Sequence, residues 1–180
     1  HGFKKMILVN GHGSNHNLVD MVARRLIVET DASAVFCSWW QLLKVNPDFD
    51  KQWRESVYPG GCSHAGELET SMLLHLSPES VRKDRIKSEI AKTNKLGSKY
   101  VWTDLFGKGA MGLIEWTSQY SDSGVMGEAE KATAEKGAIV FEEVSANLAE
   151  FIDEYHGMKI EPRTPHQDPA PTFPLSFPTD

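Results

Sequence analysis

Two apolar runs separated by an amphipathic segment constrain the fold more than any other feature of this chain. Residues 5–9 form a short apolar run that ends in Asn-Gly, as is typical of a buried strand in a parallel sheet. Apolar residues then recur at helical spacing from residue 17 to about 30, and residues 34–39 supply a second strand. This order predicts a right-handed βαβ unit and an α/β fold.

The rest of the chain has weaker signals. We predict a loop over residues 46–63, a helix from about 66 to 76, and irregular structure over 92–126 with one strand near 112–116. A long helix from 128 to about 155 carries an apolar stripe, and Gly137 within it indicates close packing or a break. Residues 1–157 are therefore expected to form one domain, followed by a proline-rich tail, 158–180, in extended or disordered form.

Charge and cysteine content narrow the class of function. The net charge of -6, without a basic cluster, argues against a nucleic-acid partner. Two cysteines without metal-site spacing suit a reducing cytosol, and no apolar run is long enough to span a membrane, so a cytoplasmic location is expected. The chain opens without Met, and Gly2 is typical of a helix end, so further upstream sequence is expected.

A histidine follows the first predicted strand, in the segment Asn10-Gly11-His12-Gly13-Ser14-Asn15. Ligands of open parallel sheets bind beyond the carboxyl ends of strands, which is where His12 is expected to lie. Flanking glycines allow close approach of a ligand, and imidazole binds zinc, manganese or iron well. The alternative is a glycine-rich turn whose histidine only hydrogen-bonds nearby backbone.

The second notable segment is His64-Ala65-Gly66-Glu67-Leu68-Glu69-Thr70-Ser71. On one continuous helix, His64 and Glu69 would lie about 140° apart and would not share a face. Both can reach one site only if His64 precedes the helix, which Ala65-Gly66 permits. Glu67 is expected to be a solvated acid of the first helical turn. Spacing alone leaves Glu69 as either a site residue or a surface carboxylate.

Together, the two segments resemble the creatininase (creatinine amidohydrolase) family. The run from Ser123-Gly124-Val125-Met126-Gly127 into Ala132-Thr133-Ala134-Glu135-Lys136-Gly137 resembles the family as well, and the resemblance extends from residue 1 to about 155. It implies a three-layer α/β/α fold with a mostly parallel central sheet and commonly a homo-hexamer. It also implies metal-dependent hydrolysis of C–N amide bonds in small cyclic amides, formamides or peptide-like substrates.

The resemblance also implies roles for individual residues. His12 and Glu69 would be ligands of a centre with two divalent ions (Zn, Mn or Fe), and His64 would be the acid/base group near the scissile bond. The candidate substrate-binding residues are Ser14, Gly66 and Trp39, although core packing is an equal interpretation of Trp39.

The sequence departs from the family pattern in two respects. The family's other metal ligands, in a Glu-x-His-Gly segment and a following Asp, would lie upstream of residue 1. Ser14 stands where creatinine-hydrolysing members carry glutamate, so a non-creatinine branch is the better match. The primary hypothesis is a metal-dependent amidohydrolase. The alternative is a catalytically incomplete paralogue that acts as a binding or oligomerisation subunit.

Overall fold

A parallel βαβ unit forms the N-terminal part of the computed structural model, which describes residues 2–164. Strand β1 (Lys5–Asn10) pairs in parallel with β2 (Ser33–Ser38), and helix α1 (His16–Glu29) connects the two strands. The register pairs the last residue of β1, Asn10, with the last residue of β2, Ser38. Both carboxyl ends therefore lie at one edge, as the sequence predicts.

Short elements connect this unit to two longer helices, α2 (Glu67–Leu76) and α5 (Ala134–Gly157). Strand β3 (Cys62–His64) leads into α2 and pairs antiparallel with β6 (Met126–Gly127), while β4 (Thr103–Asp104) pairs antiparallel with β5 (Gly107–Lys108). Two helices of one turn are α3 (Lys92–Lys95) and α4 (Thr117–Tyr120). The 3-10 turns are Gly13–Asn15, Trp39–Lys44, Phe49–Gln52, Pro78–Ser80, Lys83–Arg85 and Ala129–Lys131.

The contact between α2 and α5 is the tightest part of the core. Leu68 and Val140 are fully buried there. A Cβ atom at Gly137 would lie 2.0 Å from the carbonyl oxygen of Ser71, so the glycine allows the two helices to approach closely. Of the two interpretations of Gly137, close packing is confirmed.

Aromatic side chains extend this core towards the 3-10 turns. The buried cluster joins Leu68 and Val140 to residues of the segment that follows β2, which are Trp40, Leu43, Phe49, Trp53 and Cys62. The predicted α/β class and single domain are confirmed. Among the described residues, no helix is long and apolar enough to cross a membrane.

Two sequence predictions are wrong in detail. The strand expected near 112–116 is not formed, because this segment lies on the surface, where the side chains of Ile114 and Trp116 are 92% and 81% exposed. The long helix begins at Ala134 rather than at 128, because the Thr133 side chain accepts a hydrogen bond from Lys136 N and caps the helix there. Most of the tail, residues 165–180, lies outside the described residues.

Candidate active site

A buried asparagine fixes the turn that carries His12. The amide nitrogen Nδ2 of Asn10 donates to His12 O at 2.7 Å and to Ser38 Oγ at 2.8 Å, and His12 N donates to Asn10 Oδ1 at 3.2 Å. Asn10 thus ties the end of β1 to the end of β2. Asn10 is not among the residues predicted from the sequence, although an amide side chain at the end of a buried strand is a usable signal.

The ring of His12 is exposed, and its orientation is set by Ser14. Nδ1 of His12 lies 2.8 Å from Ser14 Oγ and 3.3 Å from Ser14 N. Because Ser14 N donates to Nδ1, this atom is an acceptor, and the neutral ring carries its proton on Nε2. Binding a cation through Nε2 would require the proton to shift to Nδ1, where Ser14 Oγ can accept it. Ser14, which the sequence suggested as a substrate contact, is therefore in the first place a partner of His12.

The fold brings His64 next to His12. The two ring centroids are 6.2 Å apart, and the rings meet edge to face at 75°. His64 ends β3 and precedes α2, as the helix geometry required. Between His64 and α2 the chain passes through Ala65, whose φ of 48° lies in the left-handed region.

Glu69 lies in the first turn of α2, five residues after His64. Its Oε2 atom accepts a hydrogen bond from Ala65 N at 2.6 Å, which directs the carboxylate back towards the residue after His64. Within the described residues, its Oε1 atom has no hydrogen-bond partner and remains available to a ligand. The carboxylate is half-buried.

The prediction for Glu67 is wrong. This side chain is fully buried instead of solvated. It accepts hydrogen bonds from Glu55 N at 3.0 Å, Ser56 N at 2.7 Å and Lys136 Nζ at 2.6 Å. Burial alone would raise the pKa of the Glu67 carboxyl, but the hydrogen bonds from Lys136 and Ser56 outweigh it and hold the pKa below its ordinary value. Glu67 therefore anchors the start of α2 to two distant segments.

A second buried carboxylate, Asp104, holds the segment that precedes His64. Its oxygens accept hydrogen bonds from Arg54 Nη2 and from Gly60 N, both at 2.7 Å. Arg54 and Asp104 form an ion pair that is almost entirely buried. The pair holds the loop that leads into β3, and it was not found in the sequence because its partners are far apart along the chain.

A polar cavity of about 380 Å³ lies near the two histidines, and its lining includes neither His12 nor His64. Gly13 and Ser63, which adjoin His12 and His64, line it together with His16 and Trp40. His16 is held by its Nδ1 atom, 3.0 Å from Ser38 Oγ. The cavity wall thus combines the ends of β1, β2 and β3 with an aromatic residue, as small-molecule sites often do.

The other candidate substrate-binding residues are placed differently. Trp39 packs against the core cluster, and its neighbour Trp40 lines the cavity. Gly66 is buried against backbone, since a Cβ atom there would lie 2.5 Å from Gly61 O and 3.2 Å from the Cα atom of Gly127. Its absence of a side chain permits this packing.

The side-chain types of the candidate ligands fit a divalent cation only in part. Imidazole and carboxylate are suitable ligands for zinc or manganese, and both kinds are present in His12 and Glu69. Within residues 2–164, no group of three or more His, Cys, Asp and Glu side chains is arranged to hold a metal ion. The described residues therefore supply suitable ligand types without forming a metal centre among themselves.

The comparison with known proteins decides the family. A family model described as creatinine amidohydrolase matches residues 1–152, which is most of the chain. The chain belongs to the creatininase family.

The chain is also 29% identical over 138 residues to the mycofactocin precursor peptide peptidase of Mycobacterium tuberculosis, a match that covers 77% of this chain and 43% of that protein. A creatinine amidohydrolase of Pseudomonas putida is 29% identical over 92 residues, which are 48% of this chain and 35% of that protein. The chain thus spans less than half the length of these two creatininase-family relatives.

Solved creatininase structures share the fold. A creatinine amidohydrolase (creatininase) structure superposes with a TM-score of 0.64 at 23% identity, covering 88% of this chain and 59% of the other. A structure named creatininase Mn superposes with a TM-score of 0.60 at 24% identity, and the match covers 84% of this chain and 56% of that chain. A mutant creatininase of the Zn-Zn type superposes with a TM-score of 0.62 at 24% identity, and the match covers 88% of this chain and 58% of that chain.

Proposed function

We propose that this chain carries the acid/base half of a metal-dependent amidohydrolase that cleaves a C–N bond in a peptide-like substrate. The observation that supports this most directly is the 6.2 Å approach of the His12 and His64 rings, which the turns after β1 and at the end of β3 bring together. Membership of the creatininase family supports the reaction class. The substrate, the residue roles and the metal content are part of the proposal.

The available atoms suggest a division of roles. Nε2 of His12 and the free oxygen of Glu69 would hold the cation, together with ligands from outside the described residues. A bound divalent ion would polarise the amide carbonyl and acidify water. His64, placed before α2 and beside His12, would transfer a proton to the departing nitrogen.

Two observations favour a peptide-like substrate over creatinine. Ser14 stands where creatinine-hydrolysing members carry glutamate, and its hydroxyl is already bonded to His12. The Mycobacterium tuberculosis relative is named for a precursor peptide. A cytoplasmic homo-oligomer, hexameric by family resemblance, belongs to the same proposal.

The test measures bound metal and amide hydrolysis in the full-length protein and its variants. His12→Ala should lose bound metal, measured by plasma mass spectrometry. His64→Ala should retain metal while kcat falls by about a hundredfold or more, as expected for loss of an acid/base group. His75→Ala, an exposed histidine of α2 whose ring packs against Phe141, is the matched control and should change neither quantity.

The outcomes separate the competing hypotheses. Unchanged metal content in His12→Ala would remove His12 from the ligand set. Loss of metal with retained turnover in His64→Ala would reverse the roles assigned to the two histidines. A wild-type protein that neither binds metal nor hydrolyses amides would favour the incomplete paralogue.

A further inference from the structure

A second cavity adjoins the polar one and shares two lining residues with it. It also measures about 380 Å³, and its wall is mostly apolar, with Leu43, Pro47, Trp53 and Tyr58 among its residues. Lys44 and Phe106 line both cavities, and Lys44 Nζ donates to Phe106 O at 2.6 Å. This contact forms a bridge between the polar and the apolar cavity.

The aromatic wall of the apolar cavity is built before any ligand arrives. The rings of Trp53 and Phe106 are 5.9 Å apart and tilted by 46°. The guanidinium of Arg54 lies 5.2 Å from the ring centre of Tyr58 and 5.5 Å from that of Phe106. Because the charge of Arg54 is compensated by the buried carboxylate of Asp104, the wall presents aromatic surface without an uncompensated arginine.

We propose that the apolar cavity binds an aromatic side chain of a peptide-like substrate whose scissile amide lies at His12 and His64. This inference rests on the proposed function. A small cyclic amide would need the polar cavity alone, because that volume is already within the ordinary range for small ligands. A second cavity across the Lys44–Phe106 bridge is useful to a longer ligand, and an extended peptide advances by about 3.3 Å per residue.

Aromatic rather than aliphatic occupancy follows from the shape of the wall. Tyr58 and Phe106 offer ring surface over the buried Trp53, which suits the edge-to-face contacts that aromatic groups prefer. Lys44 and Asp50, which also line this cavity, carry opposite charges and give it no net preference for an ion. The expected specificity is therefore for an uncharged ring.

The first experiment compares matched peptides. Acetyl-tetra-alanine amide and its four variants with one phenylalanine are incubated with the full-length, metal-loaded protein. At one position, phenylalanine should raise kcat/KM by about tenfold or more over alanine, the discrimination expected of a pocket for one side chain. Equal kcat/KM for all five peptides would overturn the inference.

Two tryptophan substitutions test whether the preference for phenylalanine arises in the apolar cavity. Asn46→Trp introduces bulk at a residue that lines the apolar cavity, and it should bring the phenylalanine-to-alanine ratio close to one. Val45→Trp adds the same side chain at an adjacent exposed position that does not line the cavity, and it should leave the ratio unchanged. A ratio that survives in Asn46→Trp would overturn the assignment.

A binding measurement separates this inference from the proposed function. N-acetylphenylalanine amide and N-acetylalanine amide are titrated by saturation-transfer NMR, which requires no turnover. The phenylalanine compound should bind at least about tenfold more tightly to wild type and Val45→Trp, but not to Asn46→Trp. Such binding without hydrolysis of any peptide would support the cavity and defeat the amidohydrolase. Hydrolysis of the peptides without a preference for phenylalanine in either experiment would support the amidohydrolase and overturn the cavity assignment.

Discussion

The turn that carries His12 and the turn that carries His64 differ in what holds them. Around His12, Cβ atoms at Gly11 and Gly13 would have nothing within 4 Å, and the turn is held by hydrogen bonds from the side chains of Asn10 and Ser14. Around His64, buried backbone packs on backbone. The turn that carries His12 is thus exposed and held by side-chain hydrogen bonds, and the turn that carries His64 is embedded in buried backbone.

The difference suits the two proposed roles. A metal ligand must adjust to the distances that the cation requires, and an exposed ring on a short tether can do so. A proton-transferring group gains from fixed placement near the scissile bond. The buried Glu67 and Asp104 supply that rigidity on either side of His64.

The strongest test of the embedded turn removes the charge of Glu67. Glu67→Gln should lower the free energy of unfolding by about 3 kcal/mol, because it breaks a buried ion pair with Lys136. Glu69→Gln is the matched control in the same helical turn and should cost less than about 1 kcal/mol. Urea denaturation measures both, and equal losses would show that Glu67 is no more important to stability than its half-buried neighbour.

A smaller effect is expected from adding a methyl group to each turn. Gly66→Ala should cost about 2 kcal/mol, because the new Cβ atom would overlap Gly61 O. Gly13→Ala, in open space, should stay within about 0.5 kcal/mol of wild type. Thermal and urea denaturation of the two variants provide the measurement. Similar losses in both would mean that the first turn is packed as tightly as the second.

The smallest effect is a pH dependence that belongs to the embedded turn alone. Because the pKa of Glu67 is lowered on folding, its contribution to stability is complete above its ordinary pKa of 4.5 and is lost as the pH falls through the folded-state pKa. The pKa of Lys136, raised by its carboxylate partners against the effect of burial, affects only the alkaline side. The stability gap between wild type and Glu67→Gln should therefore narrow below pH 4.5. A gap that stays constant to the acid limit of folding would contradict the assignment.

The sequence predicted the first turn better than the second, for a physical reason. Apolar periodicity predicts β1, α1 and β2, and the residues that hold the first turn are close in sequence to His12, apart from Ser38. The surroundings of Glu67 depend on Ser56 and Lys136, which come from opposite sides along the chain. Helical position alone could not reveal that this acid is buried.

Surface segments misled the prediction in a different way. Leu113, Ile114 and Trp116 are large apolar residues close together in the sequence, as in a short strand, but the structure leaves them on the surface. The start of the long helix was missed because an apolar stripe marks which face is buried and not where a cap lies. Thr133 sets that boundary through one hydrogen bond.

The glycine packing beneath His64 has a consequence for how such a site diversifies. Gly61, Gly66 and Gly127 approach one another through main-chain atoms and leave no space for side chains. Natural variation and laboratory selection should therefore avoid these three positions, while the walls formed by Asn46, Pro47 and Tyr58 are free to drift. New substrate preferences are expected to arise in those walls, with the proton-transferring histidine inherited unchanged on its backbone platform.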